Sequence, residues 1–329
     1  MTTKSPLVRS TFACPNTLDH RWGVILAGGD GKRLLPLTRR IAGDNRPKQF
    51  CAIMHGETLL AQTQCRVGRM IEPGQTLLVV TKTQECFYAD QLAGTPSRSL
   101  VVQPFNRGTT PAILYSLLRL REWDPNAVVG FFPSDHHFAD DEALLGYVDS
   151  AFEAAESPSG PVVLLGIVPS SAEAEYGWIE PGPSLTNHAF GATFQVRRFW
   201  EKPTYSLASV LMERGCLWNS FVMVGRVDAF LGLIRRALPS LFACFESIRR
   251  SLFSAKEWAA MLEVYSGIRT SNFSDDVLAV NPNDLAVLPC RNLGWSDLGE
   301  TGRVLSVLEQ NGISAEWAPA CIEECSARG

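Results

Sequence analysis

The sequence predicts an α/β fold, a mostly parallel sheet with helices on both faces. Three observations carry that prediction. Short apolar runs recur along the first half of the chain, as buried parallel strands do. Helical segments alternate with them. Polar residues directly follow the apolar runs, where ligands of open α/β sheets bind.

In chain order, WGVILA (22–27) is the first strand and ends in the glycines of LAGGDGKRLLPLT (26–38). Residues 58–70 read as an amphipathic helix and TLLVVT (76–81) as the second strand. A helix near 83–92 and a strand at LVVQP (100–104) follow. The next helix is expected to open at Thr110 and Pro111, because Pro suits the first helical position after a Thr cap. AVVGFF (127–132) is a further strand, succeeded by a helix from about Asp140 and a strand at VVLLGIV (162–168). From about residue 177 the pattern is mixed. GWIEP, TFQVRRFWEKP and CLWNSFVMVG read as strands with long connections, expected to add a subsite on top of the sheet. Gly28 to Arg33, Gln103, Ser134–Asp135 and Glu201–Lys202 follow strands and should converge on one crevice.

Composition narrows the function. The 329 residues are 46% hydrophobic and 19% charged, enough for one large α/β domain or two smaller ones. A net charge of -4 offers no general attraction to nucleic acid or to an anionic membrane. No apolar run approaches the roughly 18 residues that a membrane span requires. The N-terminus lacks the apolar core of a signal peptide. Nine cysteines are scattered without Cys-x-x-Cys pairing, and Cys321 and Cys325 are too isolated for a zinc site. Reduced thiols in a cytoplasmic protein are the expectation. The soft spots are the N-terminal 20 residues, SPSGP (157–161) and the tail after about 312. Within this acidic chain, residues 31–48 hold six Lys or Arg against one Asp. An even spread would place about 1.6 basic residues there. A basic cluster beside a glycine loop points to a small polyanionic ligand.

Glycine lets backbone N–H groups approach an anion closely, and successive free N–H groups make a nest for it. The two best-known phosphate loops nevertheless fail here. A Walker A loop needs Gly where Leu26 stands and Ser or Thr where Arg33 stands. A dinucleotide fingerprint needs its third Gly where Leu34 stands.

Several polar residues are ambiguous by themselves. Asp135, ending an apolar strand in FFPSDHHF, suits a hard cation such as Mg²⁺, or is a cap or turn residue. Neighbouring side chains in extended backbone point to opposite faces, so His136 and His137 should not share one metal. Asp297 in GWSDLGE is a second metal candidate, or the N-cap of a helix beginning near Leu298. Glu201 could accept hydrogen bonds from sugar hydroxyls, with Lys202 on a phosphate, or the pair is an exposed turn. Lys48 has the same ambiguity, and Asn219 is a ligand amide or a turn residue. Glu173 and Glu175 read as solvated.

Taken together, LAGGDGKRLLPLTR, RPKQF, QPFNRGTTPAI, FFPSDHHF, LGIVPSSAEAEYGWIEPG, FWEKPT, LWNS and GWSDLG resemble the sugar-1-phosphate nucleotidyltransferases. The likeness is greatest to their mannose-1-phosphate guanylyltransferase branch and runs from about Gly23 to Leu298. It implies a Rossmann-like nucleotidyltransferase fold, a mostly parallel mixed sheet flanked by helices with an added sugar-binding subregion. An N-terminal extension (1–20), the nucleotidyltransferase domain (21–300) and a short C-terminal helix and tail (301–329) are the implied divisions. The tail could serve a homodimer. GTP and mannose 1-phosphate are the implied substrates, and Mg²⁺ the implied cofactor, held by Asp135 and Asp297.

The resemblance assigns further roles. Ala27, Gly28 and Gly29 approach the nucleoside. Gly31, Lys32 and Arg33 hold the triphosphate, Arg33 stabilising charge on the α-phosphate and the leaving pyrophosphate. Lys48 contacts the phosphates. The stretch from Gln103 through Arg107 and Thr109 to Thr110 helps select the base. Gly177, Glu201 and Asn219 hold the sugar, and Lys202 its phosphate. The chain also departs from that family's pattern. Lys32 stands for Thr, Gly108 for Asn, Thr110 for Ala, Phe221 for Gly, and Ala279 for Glu after the loosely matching NFSDDVL. These departures keep another nucleotide and hexose phosphate open as substrates. A non-catalytic sugar-nucleotide-binding paralogue is a weaker alternative, and a dinucleotide-dependent oxidoreductase weaker still.

Overall fold

The computed structural model describes residues 20–157, 160–315 and 317–318. Residues 1–19, positions 158–159 of SPSGP, and 319–329 with Cys321 and Cys325 lie outside the described residues. The first half contains β1 (Arg21–Leu26), α1 (Leu35–Ala42), α2 (Leu59–Val67), β2 (Thr76–Thr81), α3 (Glu85–Tyr88), β3 (Leu100–Gln103), α4 (Thr109–Trp123), β4 (Val128–Pro133), α5 (Asp141–Glu156) and β5 (Val162–Ile167). The second half contains β6 (Gly177–His188), β7 (Gly191–Glu201), α6 (Tyr205–Glu213), β8 (Leu217–Arg226), α7 (Val227–Ala237), α8 (Pro239–Ser247), α9 (Glu257–Gly267), β9 (Leu285–Cys290) and α10 (Thr301–Gln310).

The strands form one sheet in the order β3-β2-β1-β4-β8-β5-β9-β7-β6. Among the described residues, seven strands run one way, and β7 and β8 run the other. The mixed, mostly parallel α/β sheet is therefore present. The late strands do not sit on top of it. β8 inserts antiparallel between β4 and β5 and β7 pairs β9, so the second half widens the sheet itself. An apolar run packs equally well in either direction, which is why the pattern of residues did not distinguish these arrangements.

Alternation sends successive strand residues to opposite faces. Val24, Val79, Phe131 and Leu164 pack beneath α4, α7, α8 and α9, against Ile113, Leu117, Phe230, Ile234, Phe245 and Tyr265. Ile25, Val80, Val163 and Trp178 pack beneath α2, α5 and α6, against Leu60, Val148, Phe152 and Leu211. Each such fully buried side chain contributes about 1.5–3 kcal/mol. A third cluster joins Leu34, Leu37, Cys51 and Ile53 to Val304, Val307 and Leu308 of α10. That cluster anchors the glycine loop's exit to α10.

Three local expectations need correction. Residues 83–92 hold only a 3-10 turn (Lys82–Gln84) and the one-turn α3. The N-cap of α4 is Gly108, so Thr110 lies inside the helix. α10 begins at Thr301 after Glu300, not near Leu298. The six described cysteines, Cys51, Cys65, Cys86, Cys216, Cys244 and Cys290, are all free. No helix among the described residues is long and apolar enough to cross a membrane.

Candidate active site

The carboxyl ends of β1 to β4 open on a cavity of about 270 Å³, whose lining includes Gly28, Gly29, Gln103, Thr109, Asp135 and Phe221. The glycine loop forms one wall, and its carbonyls are held from below. Gln49 Nε2 donates to Ala27 O (3.0 Å) and Gly29 O (2.7 Å). Thr81 Oγ1 donates to Gly28 O (3.0 Å), and Gln84 Nε2 to Gly29 O (3.1 Å). The N–H groups of Gly28, Gly29 and Gly31 have no hydrogen-bond partner among the described residues. Such a row of free donors is what an anion nest requires. A Cβ on Gly28 would come within 2.6 Å of Gln103 Nε2 and 2.8 Å of Thr81 Oγ1. Gly31 takes the left-handed φ of 58°, turning the chain into the 3-10 turn Lys32–Leu34. Sequence reasoning missed Gln49, Thr81 and Gln84, since nothing local marks a glutamine as a carbonyl clamp.

Lys48 is buried beside this loop. Its Nζ lies 3.4 Å from Asp135 Oδ2 and also donates to the carbonyls of Asp297 and Leu298, the latter at 3.3 Å. One ammonium thus joins three segments far apart in the chain. Asp297 Oδ1 accepts from Gly299 N (2.9 Å), Tyr176 OH (3.2 Å) and Arg303 Nη1 (2.9 Å). Burial alone would raise the Asp297 carboxyl, but His136, Lys48 and Arg303 outweigh it and hold it below the ordinary value. Asp297 is therefore ionised throughout the physiological range. His136 turns toward this centre, with Trp295 Nε1 donating to its Nδ1 at 3.3 Å. Burial lowers its basicity. His137 is held down to about 4 by burial and by Arg66 nearby. The two histidines have different neighbours, as alternation requires. No group of three His, Cys, Asp or Glu able to hold a metal occurs among the described residues. A cation here would have two carboxylates, with the remaining oxygens coming from a bound phosphate. That donor set suits Mg²⁺.

Arg33 and Lys32 stand at the exposed rim. Arg33 Nη1 donates to Glu175 Oε2 at 2.7 Å, and Lys32 Nζ lies 3.6 Å from Asp30. Arg303 Nη2 donates to Glu173 Oε2 at 2.9 Å, and its guanidinium stacks on Tyr176 at 4.4 Å. Glu173 and Glu175 are thus paired, not merely solvated. Their partners lie 130 and 142 residues away, invisible to any local reading. Arg107 turns away from the cavity, donating to Tyr265 O (2.9 Å) and stacking on Phe105. Thr109 and Gln103 line the cavity, and Gln103 Oε1 accepts from Tyr265 OH at 3.0 Å.

Gly177, Glu201 and Asn219 meet at one point. A Cβ on Gly177 would lie 2.8 Å from Glu201 Oε2 and 3.3 Å from Asn219 Cβ. Lys202 follows with φ 46° and donates its N–H to Tyr176 O at 3.2 Å. Lys202, Phe221 (φ 61°) and Leu298 (φ 47°) all have left-handed backbone without being glycine. They stand beside Glu201, Asn219 and Asp297, where such strain commonly gathers at functional sites. Burial, then Asp275, pushes Glu201 up to about 7, against the opposing pull of Lys202 and Ser274. The folded value exceeds the ordinary 4.5, so the associated stability is complete below about 4.5 and lost as pH rises through 7. Glu201→Gln mimics the protonated form. It is expected to raise Tm relative to the parent above pH 7 and to leave Tm unchanged near pH 4. Paired thermal melts at the two pH values check this.

A family model described as Nucleotidyl transferase matches residues 22–310. A xanthan biosynthesis protein XanB of Xanthomonas campestris pv. campestris is 29% identical over 295 residues, 88% of this chain and 60% of that one. A mannose-1-phosphate guanylyltransferase ManC of Salmonella typhimurium is 28% identical over 281 residues, 84% and 57%. The chain therefore spans little more than half the length of these curated relatives. A crystal structure from Thermus thermophilus, described as a mannose-1-phosphate geranyltransferase, superposes with a TM-score of 0.74. It is 30% identical, and the match covers 88% of this chain and 79% of that one. With the match running from β1 through the glycine loop to the end of α10, the chain belongs to the nucleotidyl transferase family.

Proposed function

We propose that the protein transfers a guanylyl group from GTP to mannose 1-phosphate, giving GDP-mannose and pyrophosphate, with Mg²⁺ as cofactor. The observation that carries this reading is the clamped glycine loop, whose Gly28 and Gly29 line a cavity together with Asp135, the carboxylate that Lys48 approaches at 3.4 Å. The curated relatives' names supply the sugar and the base.

In this reading an oxygen of the sugar phosphate attacks the α-phosphorus in line, the new P–O bond forms, and pyrophosphate leaves with the electrons of the broken bond. A phosphomonoester has a second pKa near 6, so the nucleophile is already anionic at neutral pH. No general base is needed. The side chains position and neutralise: Arg33 at the triphosphate, Lys48 between the Asp135 carboxylate and the Asp297 carbonyl, Lys202 at the sugar phosphate. Asp135 and Asp297 would hold Mg²⁺, which screens phosphate charge and fixes the oxygens in place. Arg33 must first leave Glu175. Both side chains are more than half exposed, so the separation costs about 0.2–1 kcal/mol.

Ionised Glu201 accepts from sugar hydroxyls more strongly than its protonated form does. The KM for mannose 1-phosphate is therefore expected to fall as pH rises through 7, the value near which Glu201 titrates. Glu201→Gln should lose that part of the pH dependence, leaving only the substrate's own ionisation. A competition assay across the four NTPs tests the nucleotide. Preference for GTP supports this reading, and preference for another nucleotide moves it to a sister pyrophosphorylase.

A further inference from the structure

The Asp297 carboxylate is held unevenly. Gly299 N, Tyr176 OH and Arg303 Nη1 all donate to Oδ1, whereas Oδ2 has no hydrogen-bond partner among the described residues. A Cβ on Gly299 would lie 2.6 Å from Oδ2, so glycine keeps the space beside that oxygen open. Lys48 fixes the backbone of the same residue, donating to the Asp297 carbonyl while its Nζ stands 3.4 Å from Asp135 Oδ2. One carboxylate oxygen is thus occupied by donors, and the other is left for a hard cation.

Of the three donors, Arg303 is the one that α10 supplies. Val304, Val307 and Leu308 pack that helix against Leu34 and Leu37 at the glycine loop's exit. The Arg303 side chain is only 13% exposed. Both prongs of its planar fork are used, Nη1 on Asp297 Oδ1 and Nη2 on Glu173 Oε2, each at 2.9 Å. Its guanidinium also lies 4.4 Å from the centre of the Tyr176 ring, whose hydroxyl donates to the same Oδ1 at 3.2 Å. Arg303 therefore holds Asp297 directly and backs a second donor to it. Two effects on a cation oppose each other here: the guanidinium charge repels it, and the hydrogen bond orients the carboxylate that binds it. Glu173 at 2.9 Å and Glu300 at 3.6 Å offset the charge. The orientation has no such offset, so positioning prevails.

We propose that Arg303 is a positioning residue of the metal site, fixing Asp297 so that Oδ2 is the oxygen offered to the cation and making α10 part of the active site. The inference rests on the proposed role of Asp297 as a metal ligand. Partners that orient a metal ligand are worth about 10–100-fold in metal affinity. Gly299 N remains on Oδ1 when Arg303 is removed, so the lower end of that range applies.

The test is an EPR titration of Mn²⁺ into the protein with α,β-methylene GTP, which cannot transfer, using the analogue alone as the blank. Parent, Arg303→Met, Arg303→Lys and Asp297→Asn are compared. Arg303→Met should bind Mn²⁺ about 10-fold more weakly than the parent. Arg303→Lys should fall between them, since an ammonium keeps the charge but cannot serve both carboxylates with a fork. In turnover, Arg303→Met should need about 10-fold more Mg²⁺, recover the parental kcat at saturating metal and keep its KM for mannose 1-phosphate. A lowered Tm with parental metal constants would make Arg303 merely structural and overturns the proposal. Tighter Mn²⁺ binding in Arg303→Met overturns it too, because repulsion would then outweigh positioning. If Arg303→Met fails to fold, Arg303→Lys decides, and a parental affinity there overturns the proposal. Weakened binding in Asp297→Asn beside parental binding in Arg303→Met strikes the role of Arg303 alone. Parental binding in both takes the metal away from Asp297, and the proposed metal site fails with this inference. If the parent ignores the GTP analogue, the guanylyl reading fails, and the same titration with the NTP analogue it binds decides on Arg303.

Discussion

Replacing Arg33 with alanine is expected to lower kcat by about 10²–10³, the usual cost of removing one donor aimed at developing transition-state charge. The fold should remain intact, because the exposed pair with Glu175 is of the kind that adds at most about 1 kcal/mol. Steady-state kinetics and a thermal melt read the two halves. A change confined to KM would mean that Arg33 binds ground and transition states equally. Arg33→Lys should recover only part of the loss, since an ammonium supplies charge without the two-pronged geometry.

Asp297→Ala should have the larger effect, a fall on the order of 10³ or more, as expected when several kcal/mol of metal-borne charge stabilisation are lost. The structure adds a complication to that variant. Asp297 Oδ1 also holds Gly299 N, Tyr176 and Arg303, so alanine leaves buried donors unpaired and should lower Tm as well. Asp297→Asn keeps an oxygen for those donors and removes the charge. Near-parental Tm with turnover still abolished would assign the loss to the charge. Parental turnover in Asp297→Asn would remove Asp297 from the metal role.

Much of this site could be read from the sequence, and the reason is topological. In an open sheet the residues that follow strands share one end. Gly28 to Gly31 and Asp135 follow β1 and β4, Gln103 ends β3, and all line or adjoin one cavity. What was not legible depends on distance along the chain. Glu173 and Glu175 look like surface acids until Arg303 and Arg33 are brought to them by folding. Gly108 looks like a defect in a base-selecting motif until Ser271 O is seen where a Cβ would stand. The expected Thr cap of α4 gave way for the same reason, since Thr110 is committed to Ser271. The antiparallel insertion of β8 was hidden because residue pattern reports burial but not direction.

Pyrophosphate release in the presence of Mg²⁺ and GTP, with and without mannose 1-phosphate, and beside ATP, UTP and dTTP, tests the central claim most directly. The proposal predicts release that requires GTP and mannose 1-phosphate together and disappears on chelation of the metal. Release with a different nucleotide would contradict the guanylyl assignment while keeping the chemistry. No release across a panel of NTPs and sugar phosphates would contradict nucleotidyl transfer by this chain.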